Sequence, residues 1–180
     1  MQIGEKLFDF KLKGVDGKLY TNYDFADKYA VLIVVTCNHC PYARAYWDRL
    51  VNLGWKYEED NLAMLAVNPN DSGQYPEDSF EGMVELSRQK ELPFPYLHDE
   101  TQEVAKKLGA KKTPEVFLFN NDRKLVYRGA IDDNWENEAM ITRVYLESSL
   151  EYTLDGLDID FPYIPPVGCT VKWKEGNEPE

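Results

Sequence analysis

The sequence has no long apolar run, no surplus of positive charge, and little cysteine or histidine. Each shortage removes a class of protein. No hydrophobic stretch in its 180 residues approaches the roughly 20 needed to cross a bilayer as a helix. The first residues, Met1-Gln2-Ile3-Gly4-Glu5-Lys6, lack a basic segment followed by an apolar one, so no secretory leader is expected and the expected location is the cytoplasm. A net charge of −12 repels phosphate backbones and anionic lipid, which argues against nucleic acid or membrane as partners. Three cysteines do not make a secreted disulfide framework. A metal site is the less favoured reading: zinc takes four ligands, and the chain offers Cys37, Cys40, Cys169 and two histidines with no second Cys-x-x-Cys.

What is present is enough chain for a sizeable core without staples, read as one domain over 1–180 with 151–180 as a C-terminal tail. Its organising stretch is Val31–Pro41, VLIVVTCNHCP. The apolar, β-branched run from Val31 to Thr36 predicts a buried central strand. It leads straight into Cys37-Asn38-His39-Cys40-Pro41, and Tyr42 to Glu58 has helical spacing of apolar residues. Two cysteines three apart, delivered by a strand to a helix start, can bring their sulfurs within bonding reach. The helix N-terminus offers unpaired N–H groups and partial positive charge, which favour thiolate over thiol. His39 adds a donor, and a positive charge when protonated. The spacing therefore points to dithiol chemistry at Cys37 and Cys40, with no cofactor required.

Around that centre, Asp16-Gly17 between apolar segments predicts a hairpin near the N-terminus. Leu62–Val67 predicts a second buried strand, so that strand, helix and strand form a βαβ unit with parallel strands. A loop, Asn68-Pro69-Asn70-Asp71-Ser72-Gly73, precedes a helix over 80–90. Thr101 is placed to cap a short helix that Gly109 closes. Thr113-Pro114 precedes a hairpin built from 116–119 and 124–129, and Glu136 to Leu150 predicts a last helix. His98 reads as a capping or packing residue, and Glu58-Glu59-Asp60 and Asp132-Asp133 as solvated surface.

The order of these elements and their motifs resembles the thioredoxin-fold superfamily, in the redoxin branch that contains peroxiredoxins and the cytochrome-maturation thioredoxins. Within it the chain is similar to a group of bacterial thioredoxin family proteins that share CNHCPY (37–42), a loop like NPNDSGQYPEDS (68–79) and a tail like GCTVKW (168–173). The resemblance implies a three-layer α/β/α sandwich with a mixed central sheet, an N-terminal β-hairpin extension and a helical insertion. It implies Cys37 as nucleophile, Cys40 as buried resolving thiol, and Asn38, His39, Pro41, Thr113 and Pro114 as tuning or substrate-binding residues. Pro114 takes the place of the fold's cis-proline, which turns the Thr113 backbone toward an extended substrate chain.

The departures are specific. Thioredoxins keep a buried carboxylate where this chain has Val31, and the cytochrome-maturation relatives keep a Glu where it has Ala43. Many members of the group have a cysteine where this chain has Lys112. The peroxiredoxin pattern Pro-x-x-x-Thr-x-x-Cys fails in both frames, with Ile33 and Cys37 before Cys40, and Ala30 and Val34 before Cys37.

Three functions are then open. The first is a thiol–disulfide oxidoreductase acting on protein or small-molecule disulfides, reduced by a partner such as a thioredoxin reductase or the glutathione system. The second is a thiol peroxidase of antioxidant type, with Cys169 as possible resolving thiol. The third is a non-catalytic binding or metal-carrying module.

Overall fold

A computed structural model describes all residues, 1–180. The central strand is the run the sequence singles out: β3, Ala30–Val35, is buried at every position. It pairs in parallel with β4 (Leu62–Asn68), also buried throughout, and antiparallel with β7 (Glu115–Phe119). Strands buried on both faces read as unbroken apolar runs, because each face meets a separate layer. Successive side chains alternate between the two layers. Leu32 and Val34 face α1 (Pro41–Lys56), α2 (Phe80–Lys90) and α4 (Tyr145–Leu154), joining Trp47, Leu50, Met83, Leu146 and Leu150 in one core. Val31, Ile33 and Val35 face the opposite way, into a second core with Val104 and Leu108 of α3 (Glu103–Leu108) and with Phe10 and Leu12.

The remaining strands extend the sheet on both sides. The hairpin β1 (Lys11–Gly14) and β2 (Leu19–Thr21) adds through β5 (Tyr96–His98), with β1 antiparallel to β5. Beyond β7 come β8 (Leu125–Gly129) and β9 (Tyr163–Ile164), giving the order β2-β1-β5-β4-β3-β7-β8-β9. A separate two-stranded ladder joins β6 (Lys112–Thr113) to β10 (Cys169–Thr170). This is the thioredoxin-like α/β/α architecture, with an N-terminal hairpin and with α2 as the inserted helix.

Local chemistry explains the helix boundaries. Pro41 opens α1 at its first position, where the missing N–H costs nothing, and Ser79 Oγ accepts the Gly82 N–H at 3.1 Å to start α2. Three expectations are corrected. The residue holding the first turn of α3 is Asp99 rather than Thr101: its carboxylate accepts the N–H groups of Val104 and Ala105 at 3.3 and 2.8 Å. The Thr101 hydroxyl accepts only the Glu103 N–H, at 3.5 Å. The last helix begins at Tyr145, not Glu136, because Asp133 accepts the Thr142 N–H and hydroxyl and so holds 133–142 in turns. Asp132 is buried, bonded to Tyr46 Oη at 2.6 Å and to Arg49 at 2.9 Å, whereas Glu58, Glu59 and Asp60 are exposed as expected. His98 packs against the Phe80 ring, with centroids 5.9 Å apart.

The segment after α4 is not loose. It supplies β9 to the main sheet and β10 to β6, and Val171 is buried in the second core. No helix is long and apolar enough to cross a membrane.

Candidate active site

β3 ends at Val35, and the chain leaves the sheet carrying Cys37 to the start of α1. Trp47, one and a half turns into α1 and almost fully buried, donates its indole N–H to the Cys37 carbonyl at 3.2 Å. Core packing thus fixes the backbone on which the first cysteine sits. Cys40 is the N-cap residue with extended backbone, so the two cysteines lie on the turn leading into α1 rather than on one helical face.

The disulfide joins Cys40 to Cys169, with their Cα atoms 6.3 Å apart, and Cys37 is the free thiol. The expected Cys37–Cys40 bond is therefore not the one present. Nor is the pair at the surface: Cys37 and Cys40 are both 0% exposed, packed with Ala43, and Cys169 and Tyr42 lie against them. The reason is the tail. β10 runs antiparallel along β6, pairing Cys169 with Thr113 and Thr170 with Lys112, and so covers the cysteines. Thr113 touches both sulfurs: its hydroxyl is 3.4 Å from Cys37 Sγ and its carbonyl oxygen 3.5 Å from Cys40 Sγ. The Thr113–Pro114 peptide is cis.

Asn38 and His39 point into a polar network centred on a residue the sequence reading passed over. Asp78 is fully buried, and its Oδ1 accepts the Asn38 N–H at 2.6 Å and Asn68 Nδ2 at 3.3 Å. Its Oδ2 accepts Asn70 Nδ2 at 3.0 Å and His39 Nδ1. The His39 ring stacks on Tyr75, and Asn38 adds bonds to the Glu77 carbonyl and from Tyr96 Oη. The same loop grips the tail, since Asn70 Oδ1 accepts the Lys172 N–H at 2.9 Å and the Asp71 N–H reaches the Lys172 carbonyl at 2.8 Å. The stretches 37–42, 68–79 and 168–173, far apart in the chain, thus meet at one place. A signal for Asp78 existed in that shared loop motif, but nothing in the spacing said which of its acidic residues turns inward.

The electrostatics run against an activated thiolate in this state. Burial, and then the negative charge of Asp78, push the Cys37 thiol up to about 11 from an ordinary value of 9.0. The Thr113 hydroxyl and the N–H groups of Cys40 and His39 pull the other way without prevailing. The N–H donors expected at the helix start are present, but with the tail seated burial and Asp78 outweigh them. Cys37, His39 and Asp78 are the residues that could hold a metal ion, with ligand atoms within 4.8 Å of one another. They are three where structural zinc takes four, and both Asp78 oxygens are already engaged. Beside the site an open groove of about 750 Å3 is lined by Asn38, Pro41, Arg44, Glu77 and Lys90.

A mixed sheet with a cis-proline loop facing cysteines at the end of its central strand defines a thioredoxin-fold redoxin. The AhpC/TSA family profile matches residues 3–128, and the chain belongs to that family. Among solved structures it is similar to an uncharacterized conserved protein from Geobacillus kaustophilus, 37% identical, covering 97% of this chain and 94% of that one with a TM-score of 0.92. A hypothetical protein, SMc02350, from Sinorhizobium meliloti 1021 is 33% identical, covering 98% and 97%, also with a TM-score of 0.92. Peroxidoxin BcpB from Mycobacterium tuberculosis shares the fold at 15% identity, covering 88% and 99% with a TM-score of 0.65. A search of curated proteins gives no match.

Proposed function

We propose that this protein is a thiol–disulfide oxidoreductase in which the Cys37-x-x-Cys40 dithiol passes its disulfide on to Cys169. The observation that carries this reading is the Cys40–Cys169 bond formed beside a free Cys37, with both inner sulfurs against Thr113. Starting from three thiols, the Cys37 thiolate attacks one sulfur of a substrate disulfide. A mixed disulfide forms and the other substrate thiolate leaves. Cys40 then attacks the Cys37 sulfur, releasing the second substrate thiol and leaving a Cys37–Cys40 bond. Cys169 finally attacks the Cys40 sulfur, and Cys37 departs as thiolate. Two electrons have moved from protein to substrate, and the disulfide rests where it is found here. A dithiol donor, such as a thioredoxin reductase or glutathione system in a reducing cytoplasm, returns the pair of electrons. No cofactor enters.

The chain supplies position rather than acid–base power. Thr113 and the N–H groups of His39 and Cys40 support charge on the Cys37 sulfur once burial is relieved, and Asp78 holds the Asn38–His39 backbone in place. The test is reduction of oxidised insulin by the prereduced protein. Wild type is expected to complete one turnover per molecule and Cys37→Ser to fall to background. Cys169→Ser is expected to turn over but to stop at the Cys37–Cys40 bond. Equal rates for wild type and Cys37→Ser would end this reading.

Cys169 in a disulfide also suits a thiol peroxidase, the second reading. Against it, the peroxiredoxin pattern Pro-x-x-x-Thr-x-x-Cys fails in both frames of the chain. Peroxide consumption by the reduced protein no faster than by free cysteine would remove it.

A further inference from the structure

The tail is held at a point that the disulfide does not touch. Gln102, which opens α3, is 1% exposed, and its side-chain amide has every hydrogen-bonding position taken. Its Nε2 donates to the Pro69 carbonyl at 2.7 Å and to the Lys172 carbonyl at 2.9 Å. Its Oε1 accepts the Lys174 N–H at 2.9 Å and Asn177 Nδ2 at 3.0 Å. All of these bonds but the one to Pro69 go to the tail. They are made from an unfavourable backbone, since φ at Gln102 is +66°, a conformation that suits glycine or asparagine better than glutamine. The turn does not require this side chain; the tail does. Asn70, 3% exposed, grips the same stretch from the other side through the Lys172 N–H. Upstream of Cys169, Ile164 is fixed in β9, where its carbonyl accepts the Ala130 N–H at 3.0 Å. Cys169 thus lies on a short strap, residues 165–170, between two anchors, and neither anchor depends on its sulfur.

We propose that Gln102 is a positioning residue for the last exchange: it keeps the Cys169 thiol beside Cys40 while the disulfide is still Cys37–Cys40. The proposal rests on the oxidoreductase reading and adds a residue to it. In that exchange the Cys169 thiolate attacks the Cys40 sulfur, the Cys37–Cys40 bond breaks, and Cys37 leaves as thiolate, with no net oxidation. The two disulfide forms differ only in which sulfur Cys40 holds, so the cost of ordering the tail enters their ratio directly. A tail already clamped at residues 172 and 174 has little freedom left to lose, and Cys169 attacks as a thiol at high effective concentration. An unclamped tail loses that freedom only when Cys40–Cys169 forms, which favours Cys37–Cys40 instead. The same arrangement lets the strap lift for a substrate and return to one place, since reduction frees 165–170 and leaves 172 and 174 held.

The test uses the full-length protein, oxidised, equilibrated at pH 8, quenched in acid and alkylated, with mass spectrometry locating the label on Cys37 or Cys169. The ratio of the two labels is the ratio of Cys40–Cys169 to Cys37–Cys40. Gln102→Gly suits the backbone and removes the clamp, and is expected to lower that ratio at least roughly fivefold, the equivalent of one net hydrogen bond. Lys174→Pro removes the N–H that Gln102 accepts, and should lower the ratio in wild type but add little in Gln102→Gly. An unchanged ratio in Gln102→Gly would overturn the proposal even if its urea midpoint fell, because a merely structural amide stabilises both disulfide forms alike. Full additivity of the two substitutions would overturn it as well. Reduction of oxidised insulin by the prereduced proteins separates the clamp from the reading beneath it. Turnover by wild type with an unchanged ratio in Gln102→Gly sinks the clamp alone, and no turnover by wild type sinks both.

Discussion

Asp78 does at this site what the missing strand carboxylate does not. Val31 faces the second core, where a charge would be stranded, and Ala43 is buried against the cysteines. The negative charge instead arrives from the loop after β4, satisfied by two asparagines, a backbone N–H and His39. Since that charge helps hold the Cys37 proton, Asp78→Asn should lower the thiol's value, because removing a negative neighbour favours the thiolate. In the oxidised protein, the thiolate fraction of Cys37, followed by the carbon NMR shift of its Cβ, should rise as pH approaches 11 in wild type. At pH 8 it should be roughly three- to tenfold larger in the asparagine variant, a shift of up to about one pH unit in the profile. Superimposable profiles would show that the charge is not felt at the sulfur. Asn38 and His39 are legible as candidate-site residues from their place between the cysteines. Asp78 is not, because a buried carboxylate and a surface one look alike until the groups that solvate it are known. Asp132 was misread for the same reason.

Among the elements, β3 and β4 are the most legible, since a strand enclosed on both faces must be apolar throughout, and VLIVV and LAMLAV are. Helix ends are less so, because the group that caps them can stand several residues away. Asp99 illustrates this: it lies outside α3 yet accepts two of its first N–H groups. Asp99→Ala should cost about 2 kcal/mol, the usual value of a helix cap together with an amide left buried and unpaired, read as a lower urea midpoint. A midpoint unchanged within error would mean that water replaces the carboxylate. β10 was invisible as a strand because two residues carry no periodicity. Its pairing depends on β6, a partner more than fifty residues earlier that is itself only two residues long.

For the molecule as a whole, two long-range ties matter beyond the cores. The Arg49–Asp132 pair is nearly enclosed, with the Arg49 guanidinium also serving the carbonyls of Asn134 and Trp135. Asp132→Ala leaves that cation buried without a counter-charge and should destabilise the fold by about 3–5 kcal/mol, whereas replacing both residues by apolar ones of similar size should cost much less. Denaturant unfolding of the single and double variants distinguishes the two. The second tie is the Cys40–Cys169 bond, with a sequence separation of 129. By loop-closure entropy its reduction should lower stability by up to about 5 kcal/mol, seen as a fall in Tm with dithiothreitol that Cys169→Ser does not show.

That same bond decides how the molecule would answer to tension. Held by its two ends in an optical trap, the oxidised chain can yield only outside the loop: Met1 to the start of the turn at Cys40, and the few residues after Cys169. Once β1, β2 and β3 have been stripped from β5, β4 and β7, the strands left inside the loop would bear no load. Adding a reductant under constant force should release a hidden length of roughly 450 Å, at about 3.5 Å per residue, in a step whose timing reports the chemistry of a single sulfur–sulfur bond.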